Sequence, residues 1–330
     1  MNWVAVDIGA STVKASVLDK NNKPVRLLYS MGSYETTSLS STVAVANDQD
    51  VIIGDFALHL GVNNPNLMVY DWLHSQHKKI IVKSILKTVK DSAIKHYSTS
   101  EIGIVLLYTN IVDEEIYNIA GELFCDVKAM KVGDVVKCIL SPHSNLMLVA
   151  DFGDTAFRVM IQDNCRSLIL NSNSVLGFSS IDMLSFIECE NTSSCSIAEI
   201  ALLGQLMKYV KILANNGEKL VIPNSVSFIG NYSTSSFEHK MTTFLYQCFE
   251  ECTNALKEIS KSWNDLSDVV FIGGGAHSSI ITSVFNKYMQ SYHQIQTYNS
   301  RTVGFDAQFA ASHCAIQMPL RVNTGVIIKY

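Results

Sequence analysis

One hairpin pattern occurs twice in this chain. Val4–Asp19 reads VAVDIGASTVKASVLD and Leu148–Asp163 reads LVADFGDTAFRVMIQD, and the two align without a gap at an offset of 144 residues. Asp7 falls on Asp151, Gly9 on Gly153, Ser11 on Thr155, Lys14 on Arg158 and Val17 on Ile161. Each copy runs from an apolar strand through an acidic, glycine-containing turn into an alternating strand, the pattern of a β-hairpin. A chain that spells one hairpin twice is constrained to two halves, each built around one copy. Facing each other, two such hairpins bring two carboxylates and two tight loops to one cleft, as a metal-bound polyphosphate requires.

The text around each copy supports two halves. Trp3–Asp7, Val13–Leu18 and Val25–Tyr29 read as an antiparallel meander with Asn21-Asn22 as a turn. Ser30–Thr42 is polar, and Val43–Ala46 with Val51–Ile53 reads as a short hairpin. Ile80–Tyr97 is helix-like, Ile102–Tyr108 is an apolar run expected of a strand covered on both faces, and Asp113–Leu123 reads as a helix. The second half repeats the meander with Leu146–Asp151, Phe157–Gln162 and Leu168–Leu170. Helices are expected over Ile197–Ala214, over the apolar series from Met241 to Ile259, from about Ser278 to Tyr292 and over Val303–Ile316. The boundary falls near Pro142–Asn145, giving segments 1–144 and 145–330, the second with a helical insertion at about 183–262.

A chain of 330 residues with 48% hydrophobic and 17% charged residues has the material for two cores. Its formal net charge of −5, with no basic block or aromatic-interleaved basic stripe, speaks against nucleic acid as a partner. No apolar run reaches the length of a membrane span, and Asp7 interrupts the first apolar stretch, so no signal peptide or membrane partner is expected and the location reads as cytoplasmic. The eight Cys are scattered and read as reduced core residues; Cys248 and Cys252 share a helical stripe. His74 and His77 read as solvated surface.

Three stretches carry chemistry. In Asp7-Ile8-Gly9-Ala10-Ser11 the glycine is expected to take a positive φ and turn successive amides into an anion-binding nest. Asp7 ends a strand where it would hold magnesium through water, and Asp151 repeats it above Gly153, Asp154 and Thr155. Val269–Ile272 leads into Gly273-Gly274-Gly275 and a helix start, a flat backbone surface for a ligand ring with a partial positive charge for phosphate.

In this order, the three stretches resemble the two phosphate loops and the adenosine loop of the actin, heat-shock chaperone and sugar kinase superfamily. Within it the chain is most similar to the nucleotide-binding domain of the 70-kDa heat-shock chaperones. Ser41–Val45 with Ile53–Ala57 resembles the family's Pro-Ser-x-Val-Ala and Gly-Asp-x-Ala, and Asn64–Asp71 its Asn-Pro-x-Asn-x-x-Phe-Asp. Leu176-Gly177 and Ile181-Asp182 resemble its Leu-Gly-Gly-x-x-Phe-Asp, Ser236–Glu238 its Arg-x-x-Phe-Glu, and Asn299–Ala311 its closing helix. The resemblance implies an α/β, two-lobed actin-like ATPase fold, each lobe a ribonuclease-H-like mixed sheet flanked by helices. It implies ATP or ADP with magnesium as ligands. Asp7 and Asp151 would be the metal-organising and catalytic carboxylates. Gly9, Ala10, Ser11, Gly153, Asp154, Thr155, Gly177, Gly273, Gly274 and Gly275 would line the nucleotide.

The departures shape the functional expectation. Leu73 stands where the family has its catalytic lysine, and His74, Lys78 or Lys79 would replace it only by a shift of register. The second loop exchanges two glycines for other residues and gains Asp154. The family's glutamate before Pro-Thr-Ala-Ala has Asp134 as its nearest counterpart. Met318–Tyr330, in which Val326–Ile328 reads as one added strand, is too short for the family's peptide-binding sandwich. The expected function is an ATP-binding conformational switch with weak or absent hydrolysis. The alternatives are a non-enzymatic interaction protein that kept the fold, with another protein chain as partner, and an actin-like polymer-forming protein. A small-molecule kinase lacks a recognisable acceptor motif.

Overall fold

The structure, a computed structural model, describes residues 1–31, 34–46, 50–54, 56–57, 60–61, 64–69, 72–109, 111–136, 146–163, 167–173, 176–178, 234–277, 279–292, 295–298, 302 and 305–322. The expected boundary at Pro142–Asn145, the helix at Ile197–Ala214, the Ile181-Asp182 pair and the strand at Val326–Ile328 lie outside them. The chain divides into two compact units: Met1–Phe56, Asp71–His143 and Phe309–Tyr330 form one, and Ala57–Tyr70 with Ser144–Gln308 form the other. The closing helix, read from sequence with segment 145–330, thus returns to the first unit.

The strands in chain order are β1 (Asn2–Ile8), β2 (Thr12–Leu18), β3 (Pro24–Arg26), β4 (Tyr29–Met31), β5 (Tyr34–Thr36), β6 (Ser38–Ser40), β7 (Val43–Ala46), β8 (Asp50–Ile53) and β9 (Met68–Val69), followed by β10 (Ile102–Tyr108) and β11 (Val127–Lys131). They continue as β12 (Leu146–Phe152), β13 (Phe157–Asp163), β14 (Ser167–Asn173), β15 (Asp268–Ile272) and β16 (Gln296–Tyr298), which with β9 belong to the second unit. The helices are α1 (Lys78–Tyr97), α2 (Glu114–Leu123), α3 (Val132–Val136), α4 (Thr234–Glu258), α5 (Ser279–Tyr288) and α6 (Ala310–Val322).

The main sheet of the first unit has the order β11-β10-β1-β2-β3, with β6 also beside β2. β1 is parallel to β10 and β10 to β11, whereas β1–β2 and β2–β3 are antiparallel. The sheet of the second unit has the order β14-β13-β12-β15-β16, with β12 parallel to β15, β15 parallel to β16, and β12–β13 and β13–β14 antiparallel. Counted outward from the repeated strand, order and direction are the same in both sheets. The duplicated hairpin is therefore the centre of a duplicated mixed sheet flanked by helices.

Parallel neighbours need a crossover, and the sequence supplies helices for it. Between β8 and β10, α1 buries Ile81, Val82, Ile85, Leu86, Val89 and Ala93 on one stripe. Each fully buried Val, Leu or Ile there stabilises by about 1.5–3 kcal/mol. Lys95 and His96 lie in its last turn, complementing the helix dipole, and Ser98 ends it in the left-handed region at φ 55°. Tyr97 ties that end to the sheet: its hydroxyl accepts from Leu18 N and donates to Trp3 O. α2 begins at the N-cap Asp113, whose carboxylate accepts from Ile116 N at 3.2 Å. On α6, Ala315 and Ile316 pack with Ala5 of β1, Val105 of β10 and Val135 of α3. Ser312 Oγ lies 2.7 Å from Ser16 Oγ on β2.

The second unit has an aromatic core. Phe152 packs against Phe157, Phe178, Phe249 and Phe271, and Phe249 against Phe285. The stripe read from sequence on α4 supplies Met241, Leu245, Cys248, Phe249, Cys252 and Leu256, all fully buried. Burial pushes both thiols above the ordinary range. Trp263 Nε1 donates to Thr253 Oγ1, which lies 2.7 Å from Tyr288 Oη, so the polar edges of the buried rings are satisfied. Among the described residues no helix is long and apolar enough to cross a membrane.

Candidate functional site

The first hairpin closes tightly. Ile8 pairs with Val13 and Asp7 with Lys14, and Gly9 N donates to Thr12 O at 3.0 Å. Gly9 is not in the left-handed region; among the described glycines positive φ occurs at Gly54 and Gly273. This corrects the expected reason for the glycine. A Cβ at Gly9 would stand 2.8 Å from Thr12 O, so close approach of the two strands excludes any side chain. Ser41 holds the turn from outside: its amide donates to Ser11 O at 2.8 Å and its hydroxyl to Gly9 O at 2.9 Å. Among the described residues the amides of Ala10 and Ser11 and the Ser11 hydroxyl have no hydrogen-bond partner, so they are the donors the loop presents.

The second hairpin repeats this plan with other partners. Phe152 pairs with Phe157 and Asp151 with Arg158. A Cβ at Gly153 would stand 2.5 Å from Ala156 O, and Gly153 also lacks a positive φ. Phe178 N donates to Gly153 O at 3.1 Å. Gly177 lies so close to the turn that a Cβ there would overlap the backbone of Asp154 and Thr155. Asp154 is half-buried and Thr155 exposed at the tip.

The glycine run after β15 is brought to the second hairpin. Gly273 has φ 94°, and a Cβ there would stand 2.5 Å from Asp151 Oδ1 and 2.7 Å from Phe152 O. A Cβ on Gly275 would overlap the ring of Phe178. Gly274 is exposed, and among the described residues nothing beyond its chain neighbours comes within 4 Å of where a Cβ would stand. The flat surface read from sequence is thus divided: Phe178 covers one glycine, the Asp151 carboxylate abuts another, and the face of Gly274 remains open. A short 3-10 turn over Gly275–His277 leads into α5.

Each repeated carboxylate carries a cation at the directly opposed strand position. Lys14 Nζ lies 3.2 Å from Asp7 Oδ2, with the side chains 7% and 30% exposed; Arg158 Nη1 lies 3.3 Å from Asp151 Oδ2, with 27% and 14% exposed. Sequence reasoning aligned Lys14 with Arg158 and missed the pairing, although counting back from a hairpin turn gives it. Ser41 and Phe178 were missed as the groups that secure the two turns.

The cation substitutes considered for Leu73 are engaged elsewhere or exposed. Leu73 lies half-buried in a 3-10 turn, Trp72–His74, between buried Trp72 and exposed His74. Lys78 Nζ binds Asp113 at 2.7 Å and Glu115 at 3.6 Å, and the hydrogen bond to Asp113 leads in holding the ammonium above its ordinary range. Lys79 is exposed on α1, and Asp134 is exposed on α3.

Magnesium takes oxygen ligands in near-octahedral geometry and keeps several waters. Among the described residues no group of three or more His, Cys, Asp or Glu is arranged to hold a metal ion. A dication about 5 Å from an ammonium or guanidinium meets a repulsion of roughly 7 kcal/mol at an effective dielectric near 20. As arranged, neither carboxylate fits magnesium. Each carboxylate is instead paired with the cation of its own hairpin. Neither a protein-family model nor a curated protein matches this sequence.

Proposed function

We propose that this chain is a nucleotide-binding domain of the heat-shock-chaperone type, with the two-lobed actin-like fold and ribonuclease-H-like sheets of that superfamily. It binds ATP and ADP as a conformational switch and hydrolyses ATP slowly or not at all. The observation that carries the reading is the matched pair of sheets, each with the acidic hairpin at its centre, the second with the glycine run after β15 against that hairpin. The Ala10 and Ser11 amides and the Ser11 hydroxyl are the donors that the first unit offers a phosphate; Thr155 and the open face of Gly274 are what the second unit offers a nucleotide. Phosphoryl transfer is accelerated chiefly by positioning and charge stabilisation at the reacting oxygens. With Leu73 in the lysine's place and both carboxylates engaged by cations, that stabilisation is weak.

Calorimetric titration of the chain with ATP, alongside steady-state phosphate release, tests this. The expected result is saturable binding with turnover far below the roughly 10 per second typical of enzymes. Absence of binding overturns the reading. A second reading, an interaction protein that kept the fold and lost the nucleotide, is favoured by one observation: the Phe178 ring covers Gly275. Silent titrations with both ATP and ADP select it.

A further inference from the structure

We infer that Lys14 and Arg158 occupy the carboxylates that would otherwise organise a divalent metal at the two hairpins, so that each hairpin of this chain meets polyphosphate without a magnesium ion. The polyphosphate part rests on the nucleotide-binding reading; the state of the carboxylates does not. Both pairs occupy the same register, one residue beyond the innermost strand pair of their turn. Lys14 is almost fully buried, and a buried ammonium requires a counter-ion, which Asp7 Oδ2 supplies. In the second hairpin the carboxylate is the more buried partner, and Arg158 neutralises it. Asp151 is also crowded on its other oxygen: Oδ2 receives Arg158, and Oδ1 lies against Gly273, where even a Cβ would stand 2.5 Å away. On that side Gly273 leaves no space for even a methyl group. Each pair sums to zero charge where a bare aspartate would carry −1, which removes the attraction that concentrates a dication. It also removes the repulsion that a bare carboxylate would exert on phosphate.

Two arms test the inference on the full chain. In the first, manganese(II) is titrated and followed by electron paramagnetic resonance as a probe of magnesium sites. The parent is expected to leave the free-ion signal unchanged, and Lys14→Gln/Arg158→Gln, which frees both carboxylates, to gain binding. Should circular dichroism show that the double variant does not fold, Arg158→Gln alone, at the more exposed cation, carries the comparison. Manganese binding by the parent that is lost in Asp151→Asn or Asp7→Asn overturns the inference, as does a folded variant that gains none. In the second arm ATP is titrated in magnesium and in EDTA. Affinities within about twofold support the inference, and a loss of about tenfold or more in EDTA overturns it. ATP that binds in neither condition overturns the nucleotide reading and the polyphosphate part, while the manganese arm alone decides the carboxylates.

Discussion

In the first hairpin the Gly9 carbonyl is taken by a side-chain hydroxyl, Ser41 Oγ; in the second the Gly153 carbonyl is taken by a backbone amide, Phe178 N. The burial of the ion pairs is inverted as well. The cation is the hidden partner in the first pair and the carboxylate in the second. Equivalent strands have thus been fastened by different means. A hydroxyl latch is removed by one substitution. A backbone latch, with Gly177, Gly273 and Gly275 pressed against their neighbours, responds instead to any added side chain. The first loop also keeps its tip donors available, while the second is packed between the glycine run and an aromatic core.

The largest expected effect follows from that packing. Gly177→Ala sets a methyl into the backbone of Asp154 and Thr155, and backbone yields less than a flexible side chain. A loss of about 3 kcal/mol is expected by thermal or denaturant unfolding, against the usual 1–3 kcal/mol for overpacking. A loss below about 0.5 kcal/mol would break the contrast between the two turns.

The inverted ion pairs give a crossed test. Asp7→Asn strands the buried Lys14 ammonium and is expected to cost about 3 kcal/mol, whereas Asp151→Asn leaves the more exposed Arg158 able to reach water and costs about 1–2 kcal/mol. Removing the cations reverses the order: Arg158→Met is expected to cost more than Lys14→Met, because Asp151 is less exposed than Asp7. Equal costs for the two aspartates, measured by urea unfolding, would mean that burial does not set these energies. Ser41→Ala removes the hydroxyl latch while its backbone bond to Ser11 remains, and about 1 kcal/mol is expected.

A control lies away from both turns. Asp113→Ala removes an N-cap and a partner of Lys78, for about 1 kcal/mol or less because the side chain is more than a third exposed. Burial raises the Asp113 carboxyl, but the Lys78 and Ile116 hydrogen bonds outweigh it and hold the group below its ordinary range. Its stabilising contribution is therefore present above the unfolded value of about 3.9 and fades as pH falls through the folded one. Parent and variant should converge in acid. A gap that widens below about pH 4 would contradict that sign.

The repeat made the centre of both sheets legible, because apolar strands around a fixed acidic turn leave few other readings. α1, α2 and the apolar stripe of α4 were legible for the same reason: burial imposed a helical period on their sequence. The polar strand β6 was not, since Ser38–Ser40 carries no strand pattern and is extended by pairing with β2. The strand expected over Val25–Tyr29 ends at Arg26, and α6 begins at Ala310, later than the expected Val303. At the site, positions were legible and partnerships were not. Asp7, Gly9, Asp151 and Gly153 stood out by repetition, yet their environments depend on Ser41, Phe178 and Gly273, which are distant in sequence. A carboxylate ending a strand reads as a metal ligand until the register shows the cation opposite it.

A crystal structure of the chain grown with ADP tests the central claim most directly. The expected density has ADP on the second unit, with a phosphate at Thr155 and the adenosine on the open face of Gly274, and both Asp–cation pairs intact. ADP bound elsewhere, or no ADP at a concentration where it saturates ordinary nucleotide sites, would contradict the claim.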